Sequence, residues 1–152
     1  MAAVAGPSRP GVPRAVQTAF VLWLVAVGAG VAETIVRLID SLAAGAGADV
    51  SGVVIRAIVY TAVIYVATRM RSGKRWARGT LAIALGVVGT LSLVVDPISW
   101  LAAGNSLRDV FAEADLLFAF VAPIRAVHLA AVIGALVFMY RPAADAYFRA
   151  VR

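Results

Sequence analysis

The sequence predicts an all-α integral membrane protein: a four-helix bundle with both termini cytoplasmic and a short amphipathic helix on the outer side ahead of the last span. Three observations predict it. Of the 152 residues, 62% are hydrophobic and only 14% charged, with a mean hydropathy of +0.93, far from the balance of a soluble domain. Four apolar segments, near 14–38, 52–70, 77–96 and 117–139, are long enough to cross a bilayer, which takes about 20 residues at about 1.5 Å each. The basic residues fall almost entirely on one side of those segments. A chain of this length holds one domain, residues 1–152, with no separate soluble domain of ordinary size.

The first span follows Arg9 and Arg14 and carries small residues at Gly30 and Ala32, a pattern that signal peptides share. Its apolar run is longer than a signal core and ends in Glu33 and Arg37, so a retained span is expected. The first outer connection, "SLAAGAGADVSG" at 41–52, is small and glycine-rich, with Asp49 or Ser51 available to cap the second span. The second and third spans are joined by "RMRSGKRWAR", with Trp76 as an interfacial anchor. The third is expected to end at Asp96-Pro97, with Trp100 at the interface. Ser106 and Asp109 then form a capping box, and Leu107, Val110, Phe111 and Ala114 share one face, which places a short amphipathic helix over 106–116. After the fourth span, "RPAADAYFRAVR" starts a short helix at Pro142 and offers Tyr147 and Phe148 to the membrane interface.

Orientation comes from charge. Of 14 basic residues, ten (Arg9, Arg14, Arg69, Arg71, Lys74, Arg75, Arg78, Arg141, Arg149 and Arg152) lie on one side. Seven of the eight acidic residues lie at or beyond the other, Asp145 being the exception. By the positive-inside rule the basic side, with both termini, is cytoplasmic; arginine in place of lysine, Lys74 being the only one, with abundant alanine, valine and glycine points to a GC-rich bacterial genome, so a bacterial cytoplasmic membrane is expected. The net charge of +6 is thereby accounted for by topology and anionic headgroups, and no nucleic-acid partner is expected.

With no cysteine, disulfides, thiol redox chemistry and iron–sulfur ligation are excluded. A single histidine argues against a zinc cluster. No catalytic residue, cofactor site or metal site is expected. The stretches "AFVLW" at 19–23, "RSGKRWAR" at 71–78 and "YRPAADAYFR" at 140–149 resemble a recurring pattern in small four-span actinobacterial membrane proteins of unassigned function. The resemblance implies a four-helix membrane fold and no particular chemistry. Small multidrug exporters also have four spans, but they are shorter and place a working glutamate near the middle of the first span, whereas Glu33 stands near the outer end.

The chemistry-bearing residues are those that charge would keep out of lipid: Glu33, Arg37, Arg56, Asp96, Arg125 and His128. Counted from 117, Arg125 lies roughly 12 Å into the last span, against a half-thickness of about 15 Å, and His128 is one turn deeper on the same face. Glu33 and Arg37 form an i, i+4 pair in the favourable order. Asp96 opposes the dipole at the end of its helix and wants a cation. Charges in a bilayer interior cost about 2.5–3.5 kcal/mol on insertion scales, so they face inward and pair. Pairing of Arg125 with Glu33 or Asp96, beneath a kink at Pro123 whose freed carbonyl the guanidinium can satisfy, is expected. Small residues at Ala26 and Gly30 on the first span, and at Ala82, Gly86 and Gly89 on the third, allow close helix approach; if these two faces pack together, Glu33, Arg37 and Asp96 converge.

Two functions are compatible with these residues. The favoured one is a non-catalytic accessory or partner-binding subunit, its polar residues forming a closed structural network, with lipid and a second membrane protein as partners. The alternative is a small transporter, or a protein that binds an anionic lipid or small anion in an outward-facing polar cavity around Arg125. A closed, paired network favours the first and an open pocket containing Arg125 the second.

Overall fold

In the computed structural model, which describes residues 11–104, 106, 108 and 115–151, the chain is all-helical. The helices are α1 (Arg14–Ala43), α2 (Val50–Arg71), α3 (Arg75–Leu81), a π-helical segment (Ala82–Gly89), α4 (Thr90–Ala102), α5 (Leu116–Met139) and α6 (Pro142–Ala150). Three of them, α1, α2 and α5, are long and apolar enough to cross a membrane. The amphipathic helix expected at 106–116 falls largely outside the described residues.

α1, α2 and α5 overrun their apolar segments, by up to about a turn and a half at the end of α1. Asp49 caps α2: its Oδ1 accepts from the Gly52 N–H at 3.0 Å and from the Ser51 hydroxyl at 2.8 Å, and these bonds, the backbone one first, hold its carboxyl below the usual carboxylate range. Asp115 caps α5 through the Phe118 N–H at 2.7 Å.

The third apolar segment departs from expectation. Asp96-Pro97 does not end it; the helix runs on to Ala102 with Pro97 inside. α3, the π segment and α4 follow one another without a break, with helical backbone angles at each junction, and form a rod of about 40 Å. An imino ring removes one backbone bond from a helix, while stopping the helix in an apolar setting would orphan several. Continuing through the proline is the cheaper solution. Pro123 likewise lies within a continuous α5.

α1 packs along α5 in antiparallel fashion and also against α2; the third rod meets α2 at α3 and meets α5 through the π segment. Close approaches mark these seams. A Cβ on Gly30 would lie 2.9 Å from the Tyr60 hydroxyl of α2, and one on Gly86 would lie 3.1 Å from Leu136 of α5. At Gly30 and Gly86 the small-residue faces of α1 and of the π segment are therefore turned to α2 and α5 respectively rather than to each other. With every helix offering a small-residue face, composition alone leaves the choice of neighbour open.

Burial is lopsided along the helices. Apart from Val121, the buried residues cluster toward the end that carries Arg14, Arg69, Arg71, Lys74, Arg75 and Arg141, here termed the basic end: Val16, Ala19 and Trp23 of α1, Ala67 and Met70 of α2, Leu81 of α3, and Val132, Ala135 and Met139 of α5. Trp23 is wholly buried, and its indole N–H has no hydrogen-bond partner among the described residues. The far end, where α1 turns into α2, lacks such a core, and there the helices are held apart around polar side chains.

α6 also differs from expectation. Tyr147 and Phe148 do not reach for the membrane interface; they are buried against the bundle, at 7% and 2% exposure. The Tyr147 hydroxyl donates to the Arg71 carbonyl at 3.0 Å, and Arg75 Nε donates to the Phe148 carbonyl at 2.7 Å. Gly73, at φ +82°, sits in the left-handed region and leaves no room for a Cβ beside Val151. Trp76, by contrast, is exposed as an interfacial anchor would be.

Candidate functional site

Five of the six residues singled out from the sequence meet at one place. A cavity of about 420 Å³ opens between α1, α2, the third rod and α5, and Glu33, Arg37, Arg56, Arg125 and His128 all line it. Asp96 belongs to α4, and its side chain lies outside the described residues. The opposite wall is apolar and small, made by Leu85 and Gly89 of the π segment and by Leu93 of α4. Because the small-residue faces of α1 and of the π segment are turned to other neighbours, a gap remains here for the polar groups to fill.

Glu33 is the hub. Its Oε1 accepts Arg37 Nε at 2.9 Å from one turn along α1, and both Nε and Nη2 of Arg125 at 3.0 Å from α5. Exposure of the side chains falls from 41% at Arg37 and 32% at Arg125 to 16% at Glu33, so the carboxylate is the most enclosed member. The i, i+4 pairing on α1 is the expected one, and of the two acids offered for Arg125 the structure shows Glu33. No bond from Arg125 to a carbonyl freed by Pro123 is formed; the carboxylate takes the guanidinium instead.

Two groups lining the cavity stand outside this cluster. Arg56 of α2 and His128 of α5 make no hydrogen bond or ion pair among the described residues. Arg56 acts on Asp49 only as a weak distant charge. Among the described side chains the cavity thus holds three guanidiniums and one carboxylate, and that carboxylate already serves two of the three.

Thr34 and Tyr60 were not foreseen. The Thr34 hydroxyl donates to the Gly30 carbonyl at 2.9 Å and lies 3.1 Å from the Tyr60 hydroxyl, and both residues line the cavity. The signal was available, since each is a hydroxyl within an otherwise apolar run, but neither carries charge and so neither demanded a partner. The π segment has no equivalent signal. Its wide turns carry Gly86 and Gly89, and such segments recur where helices border functional sites.

Chemically the site can receive an anion. Compared with known protein families, curated proteins and solved structures, the chain matches none.

Proposed function

We propose that the protein is a four-span component of a bacterial, and by its resemblance actinobacterial, cytoplasmic membrane, with both termini in the cytoplasm, and that its far-end cavity binds an anionic group, a carboxylate or phosphate of a lipid or small metabolite, without chemical conversion. The observation that carries this reading is the excess of guanidiniums among the described side chains: Arg56 borders a cavity of about 420 Å³ in which the carboxylate is already shared by Arg37 and Arg125. An uncompensated guanidinium at membrane depth is costly, and an anion in the cavity would remove that cost. The rod of α3, the π segment and α4 supplies the fourth span. The accessory-subunit reading stays as the second. It draws on a groove on the α1–α5 face where Gly28, Ala29 and Ala32 meet Pro123, small residues that admit another helix closely.

Melting of the purified protein against a panel of short-chain anionic lipids and small carboxylates and phosphates tests the ligand. A concentration-dependent rise in melting temperature is expected, and a flat response across the panel leaves the accessory reading in its place. Topology is tested separately. Reporter fusions after Arg75 and after Arg152 are expected on the cytoplasmic side and an insertion within 45–49 on the exterior; a cytoplasmic signal from 45–49 refutes the four-span arrangement.

A further inference from the structure

The basic end holds a second polar pocket, of about 610 Å³, between α3, the end of α5 and α6. We propose that it is a binding site for the headgroup phosphate of an anionic phospholipid in the leaflet facing the basic end. Three guanidiniums border it, Arg75, Arg78 and Arg149, and each stands in a different state of readiness.

Arg78 is fixed. Its Nη1 is 2.5 Å from Asp145 Oδ1, and its guanidinium lies over the Tyr140 ring at 4.0 Å and near the Phe148 ring at 5.3 Å. It is a preorganised positive plane rather than a waving side chain. Arg75 is anchored by its Nε, which donates to the Phe148 carbonyl; both terminal nitrogens stay available for a second acceptor. Arg149, in the last turn of α6, makes no hydrogen bond or ion pair among the described residues. One carboxylate against three guanidiniums leaves the pocket positive, and Asp145 is committed to orienting Arg78.

Depth selects a lipid over a soluble phosphate. Tyr140 directly follows the apolar α5, and Arg78 lies in the first turn of the third rod, about 4.5 Å along the axis from its start at Arg75. If these helices cross a bilayer, the pocket lies where hydrocarbon gives way to headgroups, the level at which basic pockets between spans hold anionic lipids. The half-exposed Tyr140 ring lines the pocket, an apolar surface for the acyl chain that leaves such a headgroup. The proposal rests on the membrane reading but not on the far-end cavity.

The test compares retention of added lipid by the delipidated protein, followed by native mass spectrometry and by melting temperature. Insertion into phosphatidylcholine bilayers first establishes membrane spanning without an anionic headgroup, so failure of that reading is recognised separately. Phosphatidylglycerol is expected to bind and raise the melting temperature while phosphatidylcholine does not. The pair Arg75→Gln/Arg149→Gln is expected to weaken phosphatidylglycerol retention about tenfold or more, with Arg149→Gln alone giving an intermediate loss and an unchanged lipid-free melting temperature. Equal retention of the two lipids by the wild type, undiminished retention of phosphatidylglycerol by both variants, or stabilisation by inorganic phosphate alone with none from the lipid overturns the proposal.

Discussion

Replacing Glu33 by leucine is expected to destabilise the protein more than replacing any one of the arginines around it. The Glu33 carboxylate is the shared acceptor of Arg37 and Arg125, so its loss strands two guanidiniums at once beside Arg56, whereas the loss of either arginine leaves Glu33 with the other. Removing one partner of a buried pair costs about 3–5 kcal/mol. Partial exposure of the two arginines lowers that to about 2–4 kcal/mol here. Arg37→Met, at the most exposed corner, is expected to cost about 1 kcal/mol or less, and Arg125→Met to fall between. The double variant Glu33→Leu/Arg125→Met is expected to recover part of the single Glu33 loss, because the cation it removes no longer wants a partner. Thermal unfolding in mild detergent reads all four proteins. A Glu33→Leu protein as stable as the Arg37→Met protein would dissolve the hub.

The parts of this arrangement that were legible in the sequence are those fixed by cost alone. α1, α2 and α5 follow from apolar length, and the choice of Glu33, Arg37, Arg56, Arg125 and His128 follows from the expense of placing such groups in hydrocarbon. An i, i+4 spacing also fixes its own geometry, which is why the Glu33–Arg37 bond could be written down in advance.

What was not legible depends on choices between near-equal alternatives. Gly30 and Gly86 both promise a close helix contact, but not with which helix; the structure gives them to Tyr60 and Leu136, and that assignment is what opens the cavity. Tyr147 and Phe148 on an amphipathic helix suit a bilayer interface and a protein groove equally well, and hydrogen bonds to the Arg71 and Phe148 carbonyls settle it for the groove. A proline ends a helix in water, where solvent rescues the broken end. The same residue in an apolar rod loses less by staying within the helix.

The last prediction separates a spare cation from a structural one. Arg56→Gln is expected to leave the melting temperature of the ligand-free protein almost unchanged, since Arg56 holds no hydrogen bond or ion pair among the described residues, yet to abolish most of the rise that a bound anion produces in the wild type. At a ligand concentration about 100 times the dissociation constant, binding to the folded state is worth about 2.7 kcal/mol; a variant that binds about a hundredfold more weakly keeps only about 0.4 kcal/mol at the same concentration. Arg125→Gln is expected to behave differently, lowering the ligand-free stability as well, because it withdraws a partner from Glu33. Salt supplies an independent check. Arg56 is exposed and Arg125 only partly so, and attraction to an exposed charge is screened within about 8 Å at physiological ionic strength, so raising salt should shrink the ligand-induced shift in the wild type and leave the small residual shift of Arg56→Gln nearly constant. An Arg56→Gln protein that melts earlier without ligand yet keeps the full ligand response would make Arg56 a structural residue and remove the observation on which the anion site stands.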